Sequence, residues 1–174
     1  DTMGAPSSAT FLITGGLGGL GVRASQWLLS LGSASTLILC SRSGKVAEGS
    51  ERVWEEVVGT RAAVSVRVLL CNAADVGGLN GALQSAHGQV AAVSGVVHTA
   101  GVLADALLEE QTAEALRAVW SPKVSGAHTL HKTTCELGCS LDMCVLYSSV
   151  ASLFGSAGQA NYAAAKQYGQ ILLF

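Results

Sequence analysis

"TFLITGGLGGLG", residues 10–21, runs a β-favouring segment into a cluster of glycines and then into a stretch with helical spacing. "TFLIT" (Thr10 to Thr14) is short and β-rich. From Leu20 to Leu31 apolar residues recur at a helical interval, and Gly32 supplies a stop. The alternation then repeats. "TLILC" (Thr36 to Cys40) is a second strand, and "EGSERVWEEVV" is a helix that Gly59 ends. "VSVRVLLC" (Val64 to Cys71) is a third strand, followed by a helix over Val76 to Ala86. Val93 to His98 is a fourth strand, and one long helix is expected from Thr112 to Glu136. "MCVLYSS" (Met143 to Ser149) is the fifth strand, and a last helix begins near Asn161 and runs to the end. Strands separated by helices build β-α-β units and a parallel sheet. Near-continuous Val/Ile/Leu strands fit a sheet covered on both faces. The expected fold is α/β, a doubly wound parallel sheet.

Composition agrees. The chain has 174 residues, 49% hydrophobic and 13% charged, enough for one domain with a substantial core. A net charge of −2 offers no basic field to nucleic acid or an anionic membrane. No apolar run approaches the roughly 20 residues of a membrane span, and no secretory signal is visible. Five cysteines, Cys40, Cys71, Cys135, Cys139 and Cys144, are an odd number without zinc spacing. Cys40, Cys71 and Cys144 fall in or beside apolar strands and read as small hydrophobes. A reduced, intracellular setting, the cytoplasm, is expected, with no metal site at His87, His98, His128 or His131.

The loop Thr14, Gly15, Gly16, Leu17, Gly18, Gly19, Leu20, Gly21 sits where a strand turns into a helix. There, glycines allow a tight turn and let main-chain amides approach a pyrophosphate. That context favours a dinucleotide over a mere tight turn. An acid at the end of the second strand would select the ribose 2′-hydroxyl of NAD. "LCSRSGK" has none, and offers Ser41, Arg42 and Lys45 instead. A guanidinium suits a 2′-phosphate, so NADPH is the expected cofactor.

Five segments, "LITGGLGGLG", "CSRSG", "GVVHTAGVL", "SPKVSGAHTLH" and "VLYSSVASLFGSAGQANYAAAK", occur in that order over nearly the whole chain. Together they resemble the short-chain dehydrogenase/reductase superfamily. Within it they resemble the ketoreductase domain of modular polyketide and animal-type fatty acid synthases, with a Rossmann-like fold. The resemblance implies that the loop glycines line the pyrophosphate and that Ser41 and Arg42 meet the 2′-phosphate. Asn72, with Ala73 after it, stands where the family usually has an aspartate facing the adenine. Ala100 and Gly101 form the small-residue turn beside the cofactor.

Tyr162 and Lys166 are one helical turn apart and share a face. By spacing alone they fit ordinary helix packing as well as a proton-delivery site. Within the resemblance they imply the latter, with Ser149, thirteen residues before the tyrosine, binding the substrate carbonyl. Lys123 shares a stripe with Trp120, Ala127 and Leu130 and matches the lysine that synthase ketoreductases carry on this helix. Those domains commonly have asparagine four residues after the tyrosine, whereas this chain has Lys166. Both lysines are therefore expected to serve Tyr162, with Lys166 on the nicotinamide ribose as in simpler reductases.

On the substrate side, "GVLADALL" keeps only Asp105 of a leucine-aspartate-aspartate stretch that correlates with one hydroxyl configuration. Phe154 stands where the opposite class has tryptophan. The family's fold continues through a lid and two further strands, so residues 1–174 read as a C-terminally truncated domain whose final "LLF" belongs to a core helix. The implied reaction is NADPH-dependent reduction of a β-ketoacyl thioester presented on the phosphopantetheine of an acyl carrier protein, beside other synthase domains. A free-standing short-chain reductase of a small ketone or a fatty β-ketoacyl substrate, and a catalytically retired scaffold, are the competing readings.

Overall fold

The computed structural model describes residues 9–59, 64–87 and 92–171. The strands are β1 (Thr10–Thr14), β2 (Thr36–Ser41), β3 (Ser65–Leu70), β4 (Val93–His98) and β5 (Met143–Leu146). They form one sheet in the order β3-β2-β1-β4-β5, and every pair is parallel. The helices are α1 (Gly19–Ser30), α2 (Glu51–Gly59), α3 (Val76–His87), α4 (Ala113–Trp120), α5 (Gly126–Glu136), α6 (Ala151–Phe154) and α7 (Ala160–Ile171).

Strand alternation explains the double winding. Phe11, Ile13, Leu37, Leu39 and Val97 point to one face, against Leu28 of α1 and Val57 of α2. Leu12, Ile38, Cys40 and Val96 point to the other, against Leu79 and Leu83 of α3 and Leu130 of α5. Both sets are buried, so the strands carry apolar residues at successive positions instead of alternating with polar ones. The order reverses between β1 and β4. In such sheets the crevice at that reversal, beyond the carboxyl ends of the strands, receives ligands.

Three expectations change. The helix from Thr112 to Glu136 is interrupted: Ser121–Ser125 forms a π turn between α4 and α5. Pro122 lies in that segment, and its ring and missing N–H disfavour a regular α turn there, which the wider turn relieves. Cys144 is exposed because β5 pairs only with β4 among the described residues, leaving an outer edge. The fifth strand also ends at Leu146, so Ser149 follows it after a short extended segment. The terminal "LLF" lies outside the described residues. No described helix is long and apolar enough to cross a membrane.

Candidate functional site

A groove of about 570 Å³ opens at the carboxyl ends of β1, β2 and β4. Its floor is Gly15, Leu17, Gly18, Gly19 and Leu20, and one end is Ser41, Arg42, Ser43 and Lys45. Asn72 and Ala73 line it from beyond β3, and Thr99, Ala100 and Gly101 from beyond β4. Among the described residues, Arg42 and Lys45 are its charged lining residues and no carboxylate lines it. The groove thus suits a ligand carrying phosphates.

Three of the fourteen expected cofactor residues do not line it. Thr14, Gly16 and Gly21 are buried beneath. A Cβ at Gly16 would sit 2.7 Å from Leu39 Cβ, and one at Gly21 would sit 2.3 Å from the Gly15 carbonyl oxygen. These two glycines bring helix and strand together; Gly15 makes the turn, with φ +66° and Ala100 backbone 2.8 Å from where its Cβ would lie. The turn leaves main-chain N–H groups of Gly19 and Leu20, in the first turn of α1, without partners inside the helix. Asn72 Oδ1 accepts the Ala74 N–H at 3.1 Å, which turns the chain away from β3 and uses one of its two lone pairs.

Behind the groove lies a hydrogen-bonded chain whose importance the sequence concealed. The Thr99 hydroxyl donates to the Thr14 carbonyl at 2.7 Å. His98 is buried with Nε2 3.3 Å from the Lys123 carbonyl and Nδ1 2.6 Å from Thr14 Oγ1. A carbonyl only accepts, so Nε2 carries the ring proton and Nδ1 accepts from the Thr14 hydroxyl. His98 therefore does not line the groove; it ties the ends of β1 and β4 to the π turn. Burial, and then the nearby Lys123 charge, push its pKa down to about 4. Between pH 4 and 6.5 the unfolded chain takes up a proton that the folded imidazole refuses. Stability should thus fall with acidification through that window, by on the order of 3 kcal/mol. Urea midpoints at several pH values will check this, and His98→Gln should flatten the dependence.

The π turn points Lys123 inward, where it is 7% exposed. Its ammonium fills the space over Gly101: a Cβ there would be 2.2 Å from Nζ. Lys166, 4% exposed, donates from α7 to the carbonyl of Tyr147, just beyond β5. The nitrogens of Lys123 and Lys166 lie 5.8 and 5.4 Å from the centroid of the Tyr162 ring. Burial, then the hydrogen bond and charge of Lys166, push Lys123 down to about 7. Ser149 Oγ accepts the Ala151 N–H at 3.2 Å, so its own proton is available to another acceptor.

Asp105 lies on an exposed segment docked against the start of α7. Gln159 donates to its carboxylate at 2.9 Å, Asn161 donates to the Ala104 carbonyl at 2.7 Å, and the Ala106 N–H donates to Gly158. Phe154 is 85% exposed at the end of α6, a helix the sequence did not announce. Among the described residues no cluster of His, Cys, Asp and Glu could hold a metal ion.

Residues 9–172 match the family described as the KR domain. The spectinabilin polyketide synthase system protein NorB of Streptomyces orinoci is 41% identical over 92% of this chain. The phenolphthiocerol synthesis polyketide synthase type I Pks15/1 of Mycobacterium marinum is 38% identical over 93%. The chain spans only 7% and 8% of those two proteins. Among solved structures, one described as A-type ketoreductases from modular polyketide synthase superposes with a TM-score of 0.80 at 35% identity, covering 97% of this chain and 35% of that one.

Proposed function

The chain belongs to the KR domain family, and from that membership we propose that it reduces a β-ketoacyl thioester to the β-hydroxyacyl thioester at the expense of NADPH. The substrate arrives on the phosphopantetheine of an acyl carrier protein, within a polyketide or fatty acid synthase whose other domains share the polypeptide. The observation that carries this reading is a tyrosine ring with two buried lysine nitrogens beside it, Lys123 lying over Gly101 of a groove that no described carboxylate lines.

The groove residues fit the cofactor. Arg42, with Ser41 and Lys45 beside it, would take the 2′-phosphate; Asn72 and Ala73 would face the adenine; the α1 amides would meet the pyrophosphate; Ala100 and Gly101 would flank the nicotinamide end. Bound there, the nicotinamide supplies the hydride. The chain supplies the rest. The Ser149 hydroxyl donates to the substrate ketone oxygen and fixes its position. Tyr162 gives that oxygen the proton it needs as negative charge develops on it. The two lysines place positive charge beside the ring that gives up this proton. Lys166 is held for that task by the Tyr147 carbonyl, and Lys123 by the π turn. Asp105 and Phe154 stand on the substrate side.

The test is NADPH oxidation by the purified protein with a β-ketoacyl thioester of N-acetylcysteamine, compared with NADH. Turnover with NADPH strongly preferred is expected. In Arg42→Ala the preference should shrink about 10–100-fold through KM for NADPH, with NADH kinetics little changed, since one charge-assisted phosphate contact is lost. An unchanged preference assigns the 2′-phosphate to other residues.

A further inference from the structure

Two thiols meet where β2 and β3 open onto the groove. Cys40 pairs with Leu69 in the parallel register, and the Cys71 N–H continues the ladder by donating to the Ser41 carbonyl at 3.1 Å. Both side chains join the apolar cluster that includes Leu12 and Leu79, and both also line the groove next to Asn72. Cys40 is 1% exposed and Cys71 is 9% exposed, so Cys71 is the one a groove ligand reaches. We propose that Cys71, backed by Cys40, is a site of thiol modification inside the nucleotide groove, where a small disulfide forms a mixed disulfide and closes the adenine end.

The two thiols are unequal partners. The neighbouring Cys40 thiol holds the Cys71 thiol below its ordinary range, while the Cys71 thiol and burial push Cys40 well above it. A disulfide between them is disfavoured. Cys71 lies two residues past the partner of Cys40, and with strands about 4.8 Å apart and a rise of about 3.3 Å per residue their Cα atoms are about 8 Å apart, beyond the roughly 7 Å limit. Of the two, Cys71 is the nucleophile, since it is the one that opens to the groove. The Cys71 thiolate attacks one sulfur of a disulfide such as glutathione disulfide, the new S–S bond forms, and the other half leaves as a thiolate that takes up the proton Cys71 gave to solvent. Nothing is oxidised beyond this exchange, and a thiol reductant reverses it. The adduct then occupies the space beside Asn72 and Ala73.

This inference rests on the proposed cofactor only for its consequence, and the test separates the two. The reduced protein is treated with glutathione disulfide, with and without adenosine 2′,5′-bisphosphate, and each cysteine's labelling is followed by peptide mass. Cys71 is expected to label at least tenfold faster than the exposed Cys135 and Cys144. The nucleotide should protect it, the adduct should weaken nucleotide binding at least tenfold by calorimetry, and dithiothreitol should restore it. Cys40→Val should slow Cys71 labelling. Cys135 or Cys144 labelling first, or a Cys71 adduct that leaves nucleotide binding intact, overturns the proposal. If the untreated protein fails to bind the nucleotide, the cofactor reading fails, and fast Cys71 labelling in mass alone still decides the site.

Discussion

Tyr162→Phe should reduce ketone turnover by at least about 100-fold, the usual contribution of a positioned acid, while NADPH affinity stays within about twofold. The substitution removes one hydroxyl and leaves the ring, which packs beside Val119, Val124 and Ala165. The ring's contacts with the two ammonium groups also survive, so folding should be unaffected. Cofactor affinity measured by fluorescence, alongside turnover, separates loss of the acid from loss of the site. Turnover retained by the phenylalanine variant would move proton delivery to another group, Lys123 first. Lys123→Met and Lys166→Met then divide the cationic role: a variant with wild-type kcat excludes its lysine from the chemistry.

Gly21→Ala should unfold or empty the groove, whereas Gly19→Ala should do neither. The two glycines lie two residues apart at the start of α1, and composition alone treats them alike. A methyl at Gly21 would lie 2.3 Å from the Gly15 carbonyl oxygen and 2.7 Å from Gly16 Cα, and both are backbone atoms that cannot rotate away. At Gly19 the nearest atom is Ser50 Oγ at 3.6 Å, an ordinary contact. Overpacking at Gly21 is expected to cost about 1–3 kcal/mol or more and to weaken dinucleotide binding about tenfold or beyond, because α1 must move off the Gly15–Gly16 turn. Alanine at Gly19, in the first turn of α1, should be neutral or gain up to about 1 kcal/mol. Urea midpoints and calorimetric NADPH titration check both arms. Equal effects at the two positions would mean that the loop adjusts as a unit.

The contrast between those glycines marks the limit of the sequence. That a glycine loop joins β1 to α1 is legible, because strand pattern, loop and helix period occur in one stretch. Which glycines face a ligand and which merely let two elements touch is fixed by atoms of Leu39 and Gly15 that only the fold brings near. The sheet was readable for the same local reason: Leu12 and Ile13 are both buried although they point to opposite faces, and a continuous apolar run records that. Cys144 misled because an edge strand has the composition of an inner one. The single long helix misled because the helical period passes unbroken over Pro122. His98 stands beside the cofactor turn in the sequence and could line it, but its role behind the groove was hidden, since its partners Thr14 and Lys123 lie 84 and 25 residues away. Tyr162 and Lys166 were paired by one helical turn, whereas Lys123 enters the same cluster through the π turn, which no periodicity foretold.

The ammonium of Lys123 over Gly101 makes these two positions a single heritable choice. Any side chain at 101 would evict the terminal atoms of Lys123, and any shorter residue at 123 would free room at 101. Changes at the two sites should therefore be epistatic: a library that randomises 101 alone recovers mainly glycine, while one that varies both together reaches combinations closed to it. Attempts to widen the inner end of the groove for bulkier ketones should begin with that pair and not with either residue by itself.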